Sequence, residues 1–381
     1  MKAILNQNVQ EYIHANLNSD LHKLLLKKSP FPEISMQEIV QQIKGKQAAQ
    51  KKFPFLLKEG IVFPPQLNLE QASSEKTALY KSEILKGKSF IDLTSGFGID
   101  AFHLSQNFEE ITLVEQNAEL LEIVKHNWAV LGRRARFINR KLEEFLAESR
   151  EKFDVIYLDP ARRDHNKNKV FLLEDLSPHV LEIQDKLVSI SDMTVIKLSP
   201  LIDLKYLISV LPYIYRLDII ALKNDVKEVL VFLSAKKEKE VMCNCINLES
   251  GEKTFTFRFG EEEDAVAEYS EPERYLYIPN NSVLKAGVFN LISARLNLKK
   301  LHPNTHLYTS PEKIKDFPGR IMEVKQIDTK QVDKKGQYNI ISKNHPLKPE
   351  EIKKKYSLKD GGENYLIFTQ SKKGKIILKS V

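Results

Sequence analysis

The spacing of apolar residues changes near residue 70 of the chain. Before that point apolar residues recur every three or four positions, as in Val9, Tyr12 and Ile13, and again through residues 36–50. This period predicts amphipathic helices, and the Phe-Pro-Pro run at 63–65 predicts extended backbone. We therefore expect residues 1–70 to form a helical region that ends in an extended link.

Between residues 71 and 237, short apolar runs alternate with segments of helical period. This alternation is typical of a doubly wound α/β fold with a parallel, Rossmann-like sheet. The predicted strands are 89–93, 111–114, 135–138, 153–158, 193–198, 215–221 and 228–233, and the predicted helices are 75–85, 98–106, 117–130, 141–147, 173–187 and 203–209.

Beyond residue 237 the pattern favours small α+β modules. The alternating runs 241–248 and 254–259 predict a β-hairpin, and one helix is expected over 281–296. Residues 321–381 hold 14 Lys and no Arg against 7 acidic residues, a net charge of +7 that equals the net charge of the whole chain. Such a basic module is typical of a surface that docks a polyanion, although a solvated lysine-rich face has the same composition.

Composition places the chain among soluble globular proteins. It has 381 residues, 42% of them hydrophobic and 29% charged, enough for two or three domains. It has no run of eighteen apolar residues, which argues against a transmembrane helix. Cys243 and Cys245 are its two cysteines, spaced for alternate positions of a strand and without a second metal-ligand pair. We expect a cytoplasmic protein with no disulfide and no metal site.

The most informative segment is residues 89–100, Ser-Phe-Ile-Asp-Leu-Thr-Ser-Gly-Phe-Gly-Ile-Asp. A short strand ends at Asp92 and enters a turn in which Gly96 and Gly98 allow backbone to approach a ligand. Glu115 ends the next predicted strand, 17 residues beyond Gly98, where a carboxylate can accept both hydroxyls of a ribose. No Lys-Ser/Thr pair follows the glycines, which argues against a P-loop, and the third glycine of a dinucleotide-binding turn is missing.

These residues, together with the Asp-Pro-Ala-Arg-Arg run at 159–163, resemble the class I S-adenosylmethionine-dependent methyltransferases over residues 71–234. The resemblance implies S-adenosyl-L-methionine as cofactor, with the turn holding its methionine portion and Glu115 its ribose. The third strand is followed by Asn139 where the family commonly has an acidic residue, so the adenine contact falls to Glu143 or to backbone near Leu142. The implied cofactor-binding residues are Asp92, Thr94, Gly96, Gly98, Glu115, Gln116, Glu143 and Asp159.

Short motifs extend the similarity along nearly the whole chain. They are 71–75 with Tyr80 and Lys81, then 159–163, 176–178, 344–347 and 358–362. This set is similar to a bacterial family in which a class I methyltransferase is followed by a ferredoxin-like segment and a C-terminal THUMP-like domain. The similarity implies a methyltransferase domain over 71–237, a hairpin and ferredoxin-like segment over 238–318, and a basic THUMP-like domain over 319–381. Because THUMP domains dock RNA, it also implies a tRNA or rRNA partner.

The atom that receives the methyl group is left open between a base amino group and a ribose hydroxyl. Residues 92–102 resemble the first motif of a ribosomal guanine amino-methyltransferase, but Ala161 and Arg162 stand where such enzymes have proline and an aromatic residue. The guanidinium plane of Arg162 can instead stack on a base. Lys81, Asp159, Lys197 and Glu228 follow the order of a ribose 2′-O-methyltransferase tetrad.

Carbon-5 methylation of uracil needs a cysteine after strand five, and the chain has Ile-Lys-Leu-Ser-Pro at 196–200. The expected catalytic residues are Asp159, Lys197 and Arg162, and the expected substrate-binding residues are Lys81, Pro160, Ala161, Arg162 and Arg163. Two further alternatives are a small-molecule or protein acceptor, with the two arginines binding its carboxylate or phosphate, and a non-catalytic RNA-binding or S-adenosylmethionine-binding protein of the same fold.

Overall fold

The computed structural model describes residues 2–65, 74–162, 171–236 and 240–381. The chain divides into two compact units, Met1–Tyr215 with Leu230–Glu238, and Arg216–Val229 with Lys239–Val381. This division is coarser than the four parts expected from the sequence, whose boundaries stay predictions. The motif residues 71–73 and the expected substrate residue Arg163 lie outside the described residues. Within the described ranges, no helix is long and apolar enough to cross a membrane.

The first unit begins with three helices, α1 (Gln7–Ala15), α2 (Leu21–Leu25) and α3 (Met36–Lys52). Ser35 starts α3 with a capping box, because its hydroxyl accepts the Glu38 N–H at 3.2 Å and its own N–H donates to the Glu38 carboxylate at 2.8 Å. The apolar faces of the three helices form one core, as the helical period predicts. Its buried members are Ile4, Val9, Ile13, Leu24, Ile34, Met36, Ile39, Val40 and Ile43.

The rest of the first unit is an α/β sheet with helices between its strands. The strands are β1 (Ser89–Asp92), β2 (Glu110–Glu115), β3 (Arg136–Asn139), β4 (Phe153–Leu158), β5 (Ala161–Arg162), β6 (Leu176–Ser177) and β7 (Ser191–Leu198), and the helices are α4 (Glu75–Ile84), α5 (Ile99–Leu104), α6 (Ala118–Val130), α7 (Leu142–Glu148), α8 (Val180–Ser189) and α9 (Leu204–Val210).

β5 and β6 form a separate two-stranded sheet, and the other five strands run in the order β3-β2-β1-β4-β7, with every neighbouring pair parallel. The chain therefore leaves β1 to one side for β2 and β3, and to the other side for β4 and β7. Ligands of open α/β sheets bind at the carboxyl ends of the strands where the order reverses in this way. The predicted doubly wound α/β fold is confirmed, and the reversal places the crevice beside the ends of β1 and β4.

An extended link, residues 61–65, connects the N-terminal helices to the sheet. The Gln42 side chain accepts the Phe63 N–H at 2.8 Å and donates to the Phe63 carbonyl at 2.9 Å. The Asn127 side chain on α6 makes the same pair of bonds to Val62, at 2.9 and 2.8 Å. Gly45 leaves room for the link, since a Cβ there would lie 2.2 Å from the Phe63 Cβ. The link is thus fixed to α3 and to α6.

Two predicted helices differ from the structure. The segment 173–187 forms a short 3-10 turn and β6 before α8 begins at Val180, because Pro178 has no N–H to donate within a helix. The segment 281–296 forms two helices, α11 (Asn281–Ala286) and α12 (Phe289–Arg295), because Gly287 ends the first of them in the left-handed region at φ 75°.

The second unit holds two groups of strands. β10 (Met242–Leu248) pairs parallel with β8 (Ile214–Leu222) and antiparallel with β11 (Phe255–Arg258), and β10 and β11 form the predicted hairpin. Cys243 and Cys245 lie buried and unbridged at alternate positions of β10, as their spacing predicts. The other group is an eight-stranded sheet, whose strands are in order β12 (Glu268–Tyr269), β14 (Lys299–His302), β15 (Thr305–Ser310), β13 (Tyr275–Pro279), β16 (Gly319–Ile327), β19 (Gly374–Ser380), β18 (Lys359–Ser371) and β17 (Gln337–Ser342).

The elements of this part of the chain are β8 (Ile214–Leu222), β9 (Asp225–Leu233), β10 (Met242–Leu248), β11 (Phe255–Arg258), β12 (Glu268–Tyr269), β13 (Tyr275–Pro279), β14 (Lys299–His302), β15 (Thr305–Ser310), β16 (Gly319–Ile327), β17 (Gln337–Ser342), β18 (Lys359–Ser371) and β19 (Gly374–Ser380), with α10 (Glu261–Asp264), α11 (Asn281–Ala286), α12 (Phe289–Arg295) and α13 (Pro349–Tyr356). Of these, β8 and β9 contain residues of both units.

Candidate active site

The turn after β1 forms one wall of a cavity at the carboxyl edge of the sheet. Gly96 and Gly98 have φ values of 51° and 75°, which favour glycine. A Cβ on Gly98 would also lie 3.0 Å from Val124 and 3.1 Å from the Trp128 indole nitrogen, so α6 packs directly on the turn. The Ser95 hydroxyl oxygen is buried and has no hydrogen-bond partner in the described part of the chain. It is available to a ligand.

The carboxyl group of Asp92 ends β1 and is almost fully buried beneath this turn. It accepts the Thr94 N–H at 2.9 Å. Burial raises the pKa of Asp92 to about 8, and the bond from Thr94 opposes the rise. Asp92 is therefore mainly protonated at neutral pH in the free protein, and a cationic group entering the cavity would favour its ionised form.

Glu115 ends β2 on the opposite side of the turn. One of its carboxylate oxygens accepts the Gly96 N–H at 3.0 Å and the other accepts the Asn117 N–H at 2.8 Å. Each oxygen keeps a lone pair for a further donor. The Asn139 side chain at the end of β3 donates to the carbonyls of Glu115 and Gln116, at 2.8 and 3.1 Å. Asn139 stands where the family commonly has an acidic residue that contacts the adenine. In this protein Asn139 instead fixes the backbone beside Glu115.

These groups surround a cavity of about 340 Å³. Its wall brings together seven of the residues expected to hold the methionine, ribose and adenine portions of the cofactor, together with the buried Ser95 hydroxyl. They are Asp92, Thr94, Gly96, Gly98, Glu115, Gln116 and Glu143. Glu143 is exposed on α7 beside the buried Leu142, and both line the cavity. The donor set, the tight glycine turn and the unsatisfied hydroxyl fit a nucleoside with a charged amino-acid tail.

Asp159 lies at the end of β4, at the edge of the same cavity. Its backbone N–H donates to the Thr94 hydroxyl at 2.7 Å, which joins the two strand ends. The Lys197 ammonium group on β7 forms an ion pair with its carboxylate. Burial raises the pKa of Asp159, and the Lys197 charge opposes this rise. The Asp159 side chain is 35% exposed and that of Lys197 is 10% exposed, so the carboxylate is the more accessible partner.

Behind this pair lies a buried ionic network centred on Asp100 of α5. One carboxylate oxygen of Asp100 is 2.7 Å from the Lys81 ammonium group on α4. The other accepts the Tyr157 hydroxyl at 2.8 Å and the Lys197 ammonium at 3.2 Å. Lys81, which the sequence suggests as a substrate-binding residue, is fully buried, and among the described residues it does not line the cavity.

The structure thus connects three of the four residues of the possible ribose-type tetrad. Lys197 contacts Asp159 directly, while Lys81 reaches them through Asp100. Glu228 is buried on β9 and belongs to the second unit. Asp100 and Tyr157 are absent from the residues expected from the sequence. The signal for Asp100 was its position two residues after Gly98, where an acidic residue is also a common helix start.

The residues after Asp159 form the rim of the site. Pro160 is buried, and Ala161 and Arg162 are exposed on β5, which pairs antiparallel with β6. The Arg162 guanidinium carbon lies 5.3 Å from the centre of the Phe171 ring, a distance typical of a cation–π contact. Phe171, nine residues further along the chain, therefore provides an aromatic ring beside Arg162. In the described part of the chain no group of three or more His, Cys, Asp or Glu residues is arranged to hold a metal ion.

Comparison with known proteins matches three segments to family models. They are Conserved hypothetical protein 95 over residues 75–189, a ferredoxin-like domain over 275–318 and a THUMP domain-like model over 320–379. An uncharacterized RNA methyltransferase of Mycoplasma mobile is 24% identical over 190 residues, which cover 45% of this chain and 52% of the relative. The chain spans about half the length of that curated relative.

A crystal structure described as a "putative methyltransferase from Porphyromonas gingivalis W83" is similar over the whole chain. It is 30% identical, with a TM-score of 0.88 over 99% of this chain and 97% of that chain. The chain belongs to the bacterial family of class I S-adenosylmethionine-dependent methyltransferases that carry a ferredoxin-like domain and a C-terminal THUMP-like domain.

Proposed function

We propose that this enzyme transfers a methyl group from S-adenosyl-L-methionine to a nitrogen atom of a base in structured RNA, rRNA or tRNA. The observation that carries the proposal is the position of the Asp159 carboxylate. It lies at the end of β4, tied through its backbone to Thr94 of the cofactor turn, and is the accessible member of its ion pair with Lys197.

The cavity supports the assignment of the cofactor residues. Asp92 is placed to accept the cationic amino group, the Ser95 hydroxyl and the turn backbone to hold the methionine portion, and Glu115 to accept the ribose hydroxyls with its free lone pairs. Gln116, Leu142 and Glu143 line the part of the cavity available to the adenine. When bound, the cofactor supplies an electrophilic methyl group on a sulfonium centre.

The exposure of the two charged partners favours a nitrogen acceptor. A ribose-directed enzyme uses its lysine, as the neutral amine, to take the hydroxyl proton, and that nitrogen must then reach the hydroxyl. Here Lys197 is engaged by both Asp100 and Asp159 and is absent from the cavity wall, whereas Asp159 lines it. Asp159 can accept a hydrogen bond from an acceptor N–H, orient the nitrogen lone pair, and take the proton after the nitrogen–methyl bond forms. Arg162 and Phe171 stand beside it as a surface on which a base can stack.

RNA as the substrate class is supported by the C-terminal module and by the Mycoplasma mobile relative, whose name describes it as an RNA methyltransferase. Twelve lysines of residues 321–381 are exposed, and phosphate contacts of this kind dominate the affinity of proteins for nucleic acids. They are Lys325, Lys330, Lys334, Lys335, Lys343, Lys348, Lys354, Lys355, Lys359, Lys372, Lys373 and Lys375.

Mass spectrometry of nucleosides tests the proposal. Total RNA from a strain lacking the gene should lack one methylated nucleoside, with the methyl group on the base fragment. Complementation with the wild-type gene should restore it and complementation with Asp159→Ala should not. A methyl group on the ribose fragment would instead support the Lys81, Asp159 and Lys197 set as a ribose-directed site. Unchanged RNA together with labelling of a protein or metabolite would contradict the RNA substrate.

A further inference from the structure

Two lysine ammonium groups are buried behind the cofactor cavity, and one carboxylate serves both. Asp100 lies 2.7 Å from Lys81 with one oxygen and 3.2 Å from Lys197 with the other. The side chains of Lys81, Asp100 and Lys197 are 0, 8 and 10% exposed, so water contributes little to their stabilisation. A buried charge that loses its partner is strongly destabilising. Asp100 therefore contributes to the position and the charge balance of both lysines.

Asp100 is itself held from several sides. Its backbone belongs to α5, which begins directly after Gly98, and its second oxygen also accepts the Tyr157 hydroxyl from β4 at 2.8 Å. Tyr157 lies two residues before Asp159 on the same chain segment. The Asp100 carboxylate is thus fixed both to the cofactor turn and to β4, the strand that leads to Asp159. This makes Asp100 a rigid anchor for Lys197.

We infer that Asp100 is a positioning residue for methyl transfer: it holds the Lys197 ammonium group so that Lys197 fixes the Asp159 carboxylate toward the acceptor. The inference rests on the proposed role of Asp159. Asp100 joins the cofactor turn to the Asp159 carboxylate through the contacts Asp100–Lys197 and Lys197–Asp159. A misplacement of a reacting group by about 1 Å can reduce a rate by about 100-fold, so an anchor of this kind contributes to turnover without touching the substrate.

The competing account is that Asp100 only neutralises Lys81 and so stabilises the fold. The two accounts differ in a double variant. Asp100→Asn alone leaves Lys81 buried without its carboxylate, and both accounts expect a lower unfolding temperature. Lys81→Met with Asp100→Asn removes the cation together with its partner, which restores the charge balance and leaves Lys197 and Asp159 unsubstituted. Stability should then recover in both accounts, but the anchor for Lys197 is still missing.

The experiment measures the unfolding midpoint, the affinity for S-adenosyl-L-methionine by calorimetry, and kcat and KM on RNA from the deletion strain, in the full-length protein. We expect the double variant to recover most of the unfolding midpoint while kcat stays reduced by about 10- to 100-fold, the scale of a lost orienting contact, with KM for RNA little changed. Lys81→Met alone keeps Asp100 and should lose less activity. Recovery of wild-type kcat in the double variant would overturn the inference.

A second readout does not depend on turnover. A buried, hydrogen-bonded lysine ammonium exchanges its protons slowly, so the Lys197 Nζ–H signal is expected by NMR in ¹⁵N-labelled wild-type protein and is assigned by its loss in Lys197→Met. The signal should disappear in Asp100→Asn and in the double variant, and persist in Lys81→Met. Its persistence in the double variant would contradict the anchoring role even if no RNA substrate is found. Absence of methyl transfer by the wild type, with this pattern of signals intact, would instead contradict the proposed function.

Discussion

The carboxylate of Glu115 accepts the backbone N–H of Gly96 at 3.0 Å, so the proposed ribose-binding group and the glycine turn are joined in the free protein. Glu115→Lys removes both the acceptor pair and this brace. We expect the affinity for S-adenosyl-L-methionine to fall by roughly 2 to 4 kcal/mol, given about 1.5 to 3 kcal/mol for each hydrogen bond to a charged group. Calorimetry measures the change. Glu119→Lys is the matched control, because Glu119 is exposed on α6 outside the cavity and its reversal should leave affinity unchanged.

Asp92 makes the stability of the protein depend on pH. Its folded-state pKa of about 8 lies above the ordinary value of 3.8, so between these values the folded protein keeps a proton that the unfolded chain has lost. This proton-linked stability is present below pH 4 and is lost as the pH rises toward 8. Asp92→Asn stays neutral at every pH, so we expect its unfolding midpoint to exceed that of the wild type by more at pH 8 than at pH 5. A constant difference across this range would show that Asp92 ionises normally.

The same substitution should weaken the cofactor site. Since Asp92 must lose its proton to pair with the ligand amino group, binding is expected to release a proton near pH 7, which calorimetry detects in buffers of different ionisation enthalpy. Asp92→Asn should bind more weakly and release fewer protons. The ligand amino group titrates in the same range, so the comparison of variant with wild type carries the result. Equal proton release by the two proteins would remove Asp92 from the site.

Asp159→Ala should reduce turnover by about 100-fold or more, the scale of losing a positioned acid–base group, with little change in cofactor affinity. Single-turnover rates with labelled cofactor provide the measurement. Asp192→Ala is a matched control, because Asp192 is exposed near the amino end of β7, at the opposite edge of the sheet. A wild-type rate in Asp159→Ala would mean that another group of the protein orients the substrate nitrogen and takes its proton.

Lys197→Ala distinguishes the two possible acceptors. If Lys197 is the base for a ribose hydroxyl, its loss should abolish methyl transfer at every pH. If it positions Asp159, part of the activity should remain. The pH dependence of the remaining rate decides between them, because only the second case keeps the carboxylate as the group that titrates.

Charge reversal of the exposed lysines Lys372, Lys373 and Lys375 tests the proposed RNA-binding surface. Deleting residues 321–381 is less informative, since it would remove four of the eight strands in the second sheet and unpair β13 from β16. Each lost phosphate contact should reduce the slope of log affinity against log salt concentration by about 0.7 to 0.9. We expect a weaker and flatter salt dependence from the triple Lys→Glu variant. The control reverses Lys23, Lys27 and Lys28, which are exposed near α2; equal slopes for the two triple variants would favour an inert lysine-rich face.

The clustering of the proposed cofactor residues at one edge of the sheet could be predicted from the sequence because each part is local. Asp92, the glycines and Glu115 each lie at the end of a strand with a clear apolar pattern, and neighbouring parallel strands end at one edge. The Asp100 network could not be predicted in this way. Asp100 and Lys197 are 97 residues apart, and only the order of β4 and β7 in the sheet brings their side chains together.

The two helix errors have a similar origin. Pro178 and Gly287 each change the backbone at a single position. The spacing of apolar residues, taken over a dozen residues, does not reveal such a local break in a helix. The apolar pattern predicts Tyr157 only as one position of a buried strand. Its ring is buried as that pattern predicts, and its hydroxyl group donates to Asp100.

The link through Val62 and Phe63 has a consequence for how this part of the protein unfolds. Separating the N-terminal helices from the sheet would break the hydrogen bonds of the Val62 backbone to the Asn127 side chain or those of the Phe63 backbone to the Gln42 side chain. It would also expose the Phe63 ring, which fills the space over Gly45. Neither half can open on its own without uncovering groups that the other satisfies. The amides of α1 to α3 and those of the central strands should therefore share one opening free energy in hydrogen exchange, and this region should melt as a single cooperative unit.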